Sequence, residues 1–323
     1  MTADAEILPA KKRTSWKTYF NIALAIGLVG IFAWQLHKDW PEITSYPWHP
    51  DVTIAGLALL LLLVCSWLDI LIWNRTLGWF DRELPFVKAA PIYIWSYLAR
   101  YVPGKVASLL LRVALAREVG CSPAPVLAAS AAELALRTAS AMFIFLVALL
   151  IWGIQITHTA VVIMIIIIPV ILLAAHPRLM IPAMNWVLVK MKKPVITRTL
   201  RYREVLGVIA ALVVRWIVFG ISFAMLAWSV YPPAVTHIPV LAGTAAGSWT
   251  VGFISMLPGG VGVMELMQKV IMHDTLNFPV EVALVIPVFS RLWTLIAEGL
   301  WALAAVFLWR AARITDDAAT SSE

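Results

Sequence analysis

Long apolar runs make up most of the chain, and short polar or basic segments separate them. A membrane-spanning helix needs about 17 to 25 predominantly apolar residues. Six runs reach this length, and most of them lie far beyond the N-terminal region where a signal peptide is found. The six predicted spans are residues 16–36, 52–73, 125–152, 159–175, 205–230 and 279–309. The pattern therefore predicts an all-α, polytopic membrane helix bundle with about six full spans.

Proline and glycine interrupt two further apolar stretches. The first stretch, residues 86–98, is too short to cross a bilayer and is followed by Pro103 and Gly104. The second stretch, residues 239–272, contains a tighter group of helix-breaking residues: Pro258, Gly259, Gly260 and Gly262. A backbone broken at membrane depth is tolerated only against protein or water. We predict that each stretch forms a re-entrant unit of two half-helices.

The second break has an alternative interpretation as an ordinary external loop. In that case residues 239–256 cross the membrane fully, and Arg310 and Arg313 lie on the outer side. The distribution of basic residues disfavours this arrangement, because Lys and Arg accumulate in cytoplasmic segments.

Spans and broken units follow one another in the same order in each half of the chain. Residues 52–73, the first broken unit and the span beginning at residue 125 form one triple. Residues 205–230, the second broken unit and the span beginning at residue 279 form another. Because the predicted orientations of the triples are opposite, we interpret them as an inverted repeat. Interrupted helices in corresponding positions of inverted halves are typical of a transporter's central binding site.

The composition of the 323 residues excludes a large soluble domain. Hydrophobic residues make up 62% of the chain, charged residues only 13%, and the mean hydropathy is +0.87. Soluble domains are about one quarter charged. We expect one transmembrane domain, residues 16–310, between cytoplasmic tails at residues 1–15 and 311–323. Cys65 and Cys121 lie in or beside apolar segments and are interpreted as packing residues.

Basic residues lie almost entirely on one side of the predicted topology. That side carries 16 of the 25 Lys and Arg residues, whereas the opposite connections carry only Lys38. By the positive-inside rule, both termini are expected in the cytoplasm. Tryptophans near span ends are expected at the headgroup boundary: Trp16, Trp34, Trp73, Trp152, Trp228 and Trp309.

Eight basic residues remain within apolar or broken segments: Arg100, Lys105, Arg112, Arg117, Arg137, Arg215, Lys269 and Arg291. A charge near the bilayer centre costs about 2.5 to 3.5 kcal/mol on insertion scales. Such residues are therefore expected to face a hydrated cavity or a partner of opposite charge.

Two long predicted helices each carry an acid and a base on one face. Glu133 and Arg137 are four residues apart, and Arg291 and Glu298 are seven apart. These spacings stack side chains on the same side of a helix. One interpretation is that the pairs line a cavity and hold the broken units in register. The other is that each pair only neutralises its charges for insertion, because buried pairs need not serve function.

Three further charges have less definite roles. Glu265 follows the second break closely, so it is expected near the positive end of a half-helix. We expect it to pair with an intramembrane arginine; the alternative is that it takes up and releases a proton. Asp69 and Arg215 are interpreted as interface residues near span ends, with little weight in the site.

The breaks also suggest what the cavity binds. Half-helices that begin after them would direct amide groups and the positive ends of their dipoles into the cavity, which favours an anion. The predicted substrate-binding residues are Arg100, Tyr101, Lys105, Arg112, Glu133, Arg137, Glu265, Arg291 and Glu298. The sequence contains no recognisable metal-ligand spacing, nucleotide-binding loop or hydrolase motif, so we expect no metal, cofactor or catalytic residues.

The segments "RYVPGKVASLLLR", "AELALRT" and "LPGGVGVMELM" resemble the signature of a flippase-like membrane family. This family is related to the transmembrane region of lysylphosphatidylglycerol synthases, and the resemblance covers residues 16–310. It implies a lipid translocase with a cavity framed by re-entrant helices, in a bacterial inner membrane. The aminoacyl-transfer domain of the fused relatives is not expected here, because only a short tail follows the last predicted span.

Three functions are compatible with the pattern. The first is a flippase that moves an anionic phospholipid or polyprenyl-phosphate lipid between leaflets, with no enzymatic activity. The alternative is an accessory membrane subunit that scaffolds a lipid-modifying enzyme or glycosyltransferase. An intramembrane enzyme is disfavoured because no nucleophile lies beside a base. Expected partners are a membrane lipid and either a second copy of the chain or a membrane enzyme, but no nucleic acid.

Overall fold

The computed structural model describes residues 37, 40–45, 47–101, 107–152, 176–190, 195, 200–255 and 257–320. Within these ranges all regular secondary structure is helical. The α-helices are α1 (Trp40–Ser45), α2 (Val52–Leu77), α3 (Phe86–Leu98), α4 (Ala107–Glu118), α5 (Pro123–Trp152), α6 (Pro177–Lys190), α7 (Tyr202–Val230), α8 (Ile238–Ile254), α9 (Val263–Val270) and α10 (Val280–Thr320).

In the described part of the chain, four helices are long and apolar enough to cross a membrane. They are α2, α5, α7 and α10, and their apolar parts are Val52–Leu77, Pro123–Ile151, Tyr202–Val230 and Val280–Ala312. The prediction of an all-α, multi-pass membrane protein is therefore confirmed in these parts of the chain. The predicted spans at residues 16–36 and 159–175 lie outside the described residues.

Short helices lie on either side of each predicted break. Helix α3 has 13 residues and α4 has 12, so they are only about 20 and 18 Å long at 1.5 Å per residue. Neither crosses a hydrocarbon core of about 30 Å alone. Between them, Ala99–Tyr101 forms a 3-10 turn. The predicted break residues Pro103 and Gly104, with Lys105, lie outside the described part of the chain.

The second break lies between α8 and α9. The chain forms a 3-10 turn at Pro258–Gly260, and α9 begins at Val263. Gly259, Gly260 and Gly262 have φ angles of 60, 64 and 84 degrees. Glycine reaches this left-handed region without the steric penalty of a side chain. The sequence prediction of a broken helix is confirmed here.

Among the described helices, four pairs make the most extensive contacts: α2 with α7, α5 with α8, α7 with α8, and α3 with α10. The short helices also pack on their own partners across each break, α3 on α4 and α8 on α9. The apolar core is correspondingly divided into several clusters between these pairs.

Trp73 does not lie at an exposed boundary as its position near a span end suggested. Its side chain is fully buried, and its indole nitrogen donates to Ser130 Oγ at 3.3 Å. It packs in the cluster formed by α2, α3 and α5, against the ring of Tyr93. The interfacial interpretation of Trp73 was therefore wrong, because the end of an apolar run does not tell which face of the helix meets protein.

Candidate functional site: two charged networks and a cavity

Five charged side chains form a buried network between α2, α4, α5 and α7. They are Asp69, Arg112, Glu133, Arg137 and Arg215, and each is at most 6% exposed. Burial of single charges in apolar surroundings is costly, so each needs a partner. The network satisfies this requirement across four helices, of which α2 and α7 are far apart in sequence.

Arg137 is the centre of the network. Its Nε donates to Glu133 Oε1 at 2.9 Å, as the four-residue spacing predicted. Its Nη2 lies 2.8 Å from Asp69 Oδ1 and donates to the Tyr93 hydroxyl at 2.9 Å. Arg137 therefore connects α5 with both α2 and α3.

Asp69 and Arg215 belong to the network, contrary to the low weight that the sequence analysis gave them. Arg215 Nε donates to Asp69 Oδ1 at 2.9 Å, and Nη2 donates to Oδ2 at 3.2 Å. This bidentate ion pair connects α2 to α7. The Arg215 guanidinium also lies over the ring of Trp216. Two lone charges of opposite sign in separate predicted spans were the signal that pointed to such a pair.

Arg112 closes the network on the side of α4. Its Nε donates to Ser96 Oγ at 2.9 Å, and its Nη1 lies 3.3 Å from Glu133 Oε2. The guanidinium lies over the rings of Tyr93 and Trp73, at 4.5 and 5.2 Å from their centroids. Cation–π contact with desolvated aromatic rings stabilises a buried cation.

The network contains three arginines and two carboxylates, and therefore one excess positive charge among the described residues. Nη1 of Arg137 and Nη1 of Arg215 are buried, and neither makes a hydrogen bond within the described part of the chain. Buried guanidinium groups with spare donors create a positive potential in surroundings of low dielectric.

The first break carries its own ion pair. Arg100, in the turn after α3, pairs with Glu298 of α10 and also donates to the hydroxyl groups of Tyr97 and Tyr101. The Tyr101 hydroxyl in turn donates to Glu298 Oε2 at 3.0 Å. One carboxylate on α10 therefore holds two side chains of the first break.

The second break is held by α10 as well. Glu265 Oε2 accepts from the backbone N–H of Gly262 at 2.8 Å, which caps the first turn of α9. Its other oxygen lies 2.9 Å from Arg291 Nε, so the predicted pairing with an intramembrane arginine is confirmed. Arg291 Nη2 also donates to the carbonyl oxygen of Gly259 at 3.1 Å.

Arg291 and Glu298 share one face of α10 but have different partners. Arg291 contacts the second break and Glu298 contacts the first. The alternative that these two residues only neutralise each other is therefore wrong. Instead, these two side chains of α10, which are two helical turns apart, connect α10 to both breaks.

The two breaks contact each other directly. A Cβ atom placed on Gly259 would lie 2.9 Å from Cε1 of Tyr101, so the tyrosine ring rests against the glycine backbone. The turn after α3 and the Pro-Gly-Gly turn are neighbours in the bundle, although 158 residues separate Tyr101 from Gly259.

A small cavity of about 40 Å³ lies beside the second break, between α2, α7, α9 and α10. One side of its lining is polar: Glu265, Gln268, Ser290, Arg291 and Thr294. The other side is apolar and includes Phe219, Phe223 and Leu226. The lining therefore offers hydrogen-bonding groups and an ion pair opposite an aromatic and aliphatic wall.

The predicted site residues divide into three groups. Glu265 and Arg291 line the cavity, and Arg100, Tyr101 and Glu298 surround the adjoining first break. The three others that are described, Arg112, Glu133 and Arg137, belong to the closed network. The sequence analysis missed Gln268, Ser290 and Thr294, because small polar residues are common in membrane helices and carry no distinctive spacing.

No protein-family model matches this sequence, and a search of curated proteins finds no matching sequence. The resemblance to the flippase-like family therefore stays a prediction from the motifs.

Proposed function

We propose that this protein translocates an anionic lipid between the leaflets of a membrane. The lipid phosphate would pass the polar side of the cavity beside Glu265 and Arg291, while the acyl chains remain against its apolar side or in the bilayer. Guanidinium groups suit this role because their planar donors match phosphate oxygens. No step in this passage requires a covalent intermediate.

The observation that carries the proposal is the meeting of two helix breaks beside an amphipathic cavity. An ion pair with α10 holds each break, Arg100–Glu298 at the first and Glu265–Arg291 at the second. Irregular backbone among membrane helices is found where it lines a hydrated pathway or a binding site. The excess positive charge of the neighbouring network favours a negatively charged cargo.

We further propose that the two halves are an inverted repeat with re-entrant broken units. The helix contacts support this view. Exchanging α3 with α8 and α5 with α10 converts the α5–α8 contact into the α10–α3 contact, and exchanging α2 with α7 leaves their mutual contact in place. The two halves are not identical, because the extensive α7–α8 contact corresponds to a smaller contact between α2 and α3. Such a correspondence between contacts is expected when a duplicated unit packs against its own copy.

Reconstitution into liposomes tests the proposal. Purified protein is inserted into vesicles that contain a fluorescent phosphatidylglycerol, and its movement to the outer leaflet is followed by chemical quenching. We expect faster movement than in protein-free vesicles, and at least a tenfold loss of rate for Glu265→Gln. Glutamine cannot balance the charge of Arg291, so this arginine of the cavity lining would lose its carboxylate partner.

Two further variants separate loss of function from loss of fold. Asp274→Asn removes an exposed carboxylate just beyond α9 and is expected to keep the full rate. Among the described residues, the Thr294 hydroxyl bonds only to Ser290 O of its own helix. Thr294→Val removes this cavity hydroxyl, so folding is expected to persist while the rate falls. Equal rates for folded wild type, Thr294→Val and Glu265→Gln would overturn the proposal.

The same assay distinguishes the accessory-subunit alternative. A scaffold needs its partner enzyme, so it would leave lipid movement at the rate of empty vesicles when it is reconstituted alone. A translocase of the proposed kind moves lipid without a second protein.

A further inference from the structure

In the described part of the chain, a groove lies between α2 and α7. Three α2 side chains and three positions of α7 form its walls: Leu68, Leu71, Ile72, Gly207, Val208 and Ala211. Its volume is about 640 Å³, and its lining residues differ from those of the cavity beside the second break. The groove is therefore a separate feature of the molecule.

The shape of the groove suits a hydrocarbon chain. Leu71 is 36% exposed and Gly207 is exposed as well, and a Cβ atom placed on Gly207 would have no atom within 4 Å. From Leu68 to Arg75 the α2 wall rises by about 10 Å at 1.5 Å per residue. One leaflet contributes about 15 Å of a 30 Å hydrocarbon core, so the groove covers much of its depth.

One end of the groove is charged. Arg75, Arg203 and Glu204 line it there, where α2 ends and α7 begins. Glu204 already accepts from the backbone N–H of Arg201 at 2.9 Å, which caps α7. The two arginines at this end are exposed, so their guanidinium groups are accessible from the membrane surface.

The ion pair of Arg75 does not prevent binding of another anion. Arg75 pairs with Glu83, but the two side chains are 57% and 48% exposed. Exposed pairs of this kind contribute at most about 1 kcal/mol. A phosphate that also reaches Arg203 makes charge-assisted hydrogen bonds to two guanidinium groups, which are stronger than ordinary hydrogen bonds.

We propose that this groove binds one anionic phospholipid from the leaflet at the Arg75 end. An acyl chain lies against Leu71 and over Gly207, and the phosphate bonds to Arg75 and Arg203. A phosphatidylcholine headgroup carries a compensating positive charge and fits the cationic end less well. This lipid stays bound to the surface of the bundle, so the proposal does not depend on lipid translocation.

Native mass spectrometry of the delipidated full chain with added phosphatidylglycerol or phosphatidylcholine tests the site. We expect phosphatidylglycerol to be retained at least about tenfold more, which corresponds to about 1.4 kcal/mol. Gly207→Leu fills the groove and should abolish this preference. Gly56→Leu is the matched control, because Gly56 is also a helical glycine with no atom within 4 Å of an added Cβ.

Two charge variants give opposite results if the assignment is right. Arg203→Gln removes one phosphate ligand and should weaken retention of phosphatidylglycerol. Glu83→Gln removes the carboxylate that competes for Arg75 and should strengthen it. The proposal is overturned if wild type retains both lipids equally, or if Gly207→Leu retains as much phosphatidylglycerol as Gly56→Leu.

Discussion

The aromatic ring of Tyr101 packs against the backbone of Gly259, and this contact joins the two interruptions of the bundle. Gly259 has a φ of 60 degrees, in the left-handed region that side chains disfavour. The absence of a side chain therefore serves two purposes at this position, since it permits both the backbone turn and the close approach of the ring. The Arg100–Glu298 pair holds the same tyrosine from the other side.

Gly259→Ala is expected to destabilise the protein by about 2 kcal/mol, because a left-handed residue with a side chain costs about 1 to 2 kcal/mol and the methyl group would strike Tyr101. Gly299→Ala is the matched control. Gly299 lies within α10 with no atom within 4 Å of an added Cβ, so alanine should stabilise the helix by up to about 1 kcal/mol. Thermal unfolding in detergent measures both changes, and a destabilisation of equal size at both sites would contradict the assignment.

Asp69→Asn is expected to destabilise the protein strongly. Asp69 accepts from Arg215 and lies 2.8 Å from Arg137, and all three side chains are buried. Loss of one partner from a buried ion pair costs about 3 to 5 kcal/mol, because the remaining charge stays desolvated.

Arg75→Gln provides the comparison for Asp69→Asn. It also breaks an ion pair of α2, but the Arg75–Glu83 pair is exposed and contributes at most about 1 kcal/mol. Both variants can be compared by thermal unfolding in the same detergent. Similar melting temperatures for the two would show that the Asp69 network does not hold α2 against α5 and α7.

The helices were predictable because local signals define them. The predicted helix at residues 86–98 has the same bounds as α3. At the second break, the three predicted glycines all have positive φ angles. Hydrophobic runs and helix breakers act over a few residues, so they can be read without knowledge of the fold.

The partners of the buried charges were not predictable in the same way. Asp69 and Arg215 are 146 residues apart, and only the packing of α2 on α7 brings them together. Both helices are apolar on nearly all sides, so the sequence does not indicate which face meets protein. For the same reason, the sequence did not indicate that Arg291 and Glu298 pair with different residues. Their seven-residue spacing did predict correctly that they share one face of the helix.

Glu298→Gln is expected to loosen the first break. Glutamine can still accept hydrogen bonds from Tyr101 and Arg100, but it leaves the charge of Arg100 without a nearby carboxylate. We expect faster hydrogen exchange of backbone amides in Ala99–Tyr101 and, through the Tyr101 contact, in residues 259–262. Mass spectrometry of exchanged peptides measures both segments. Glu281→Gln, in the first turn of the same helix, is the control, and equal exchange in the two variants would count against α10 as the support of the breaks.

Cys121 provides a test of packing outside the spans, in the turn between α4 and α5. Its thiol is 3% exposed, and burial raises its pKa above the ordinary value; the Asp81 carboxylate raises it further and Arg82 lowers it. The thiolate is the reactive form, so labelling by a maleimide should be slow at pH 7 and should accelerate as the pH rises.

Neighbouring charges should change this labelling in opposite directions. In a Cys65→Ala background, Asp81→Asn removes a negative charge, lowers the pKa of Cys121 and should accelerate labelling at pH 8. Arg82→Gln removes the positive charge that favours the thiolate and should slow it. Labelling after denaturation in SDS gives the rate of the accessible thiol, which should be the same in all variants. The reverse order of the two rates in the folded protein would contradict this placement of Cys121 between the two charges.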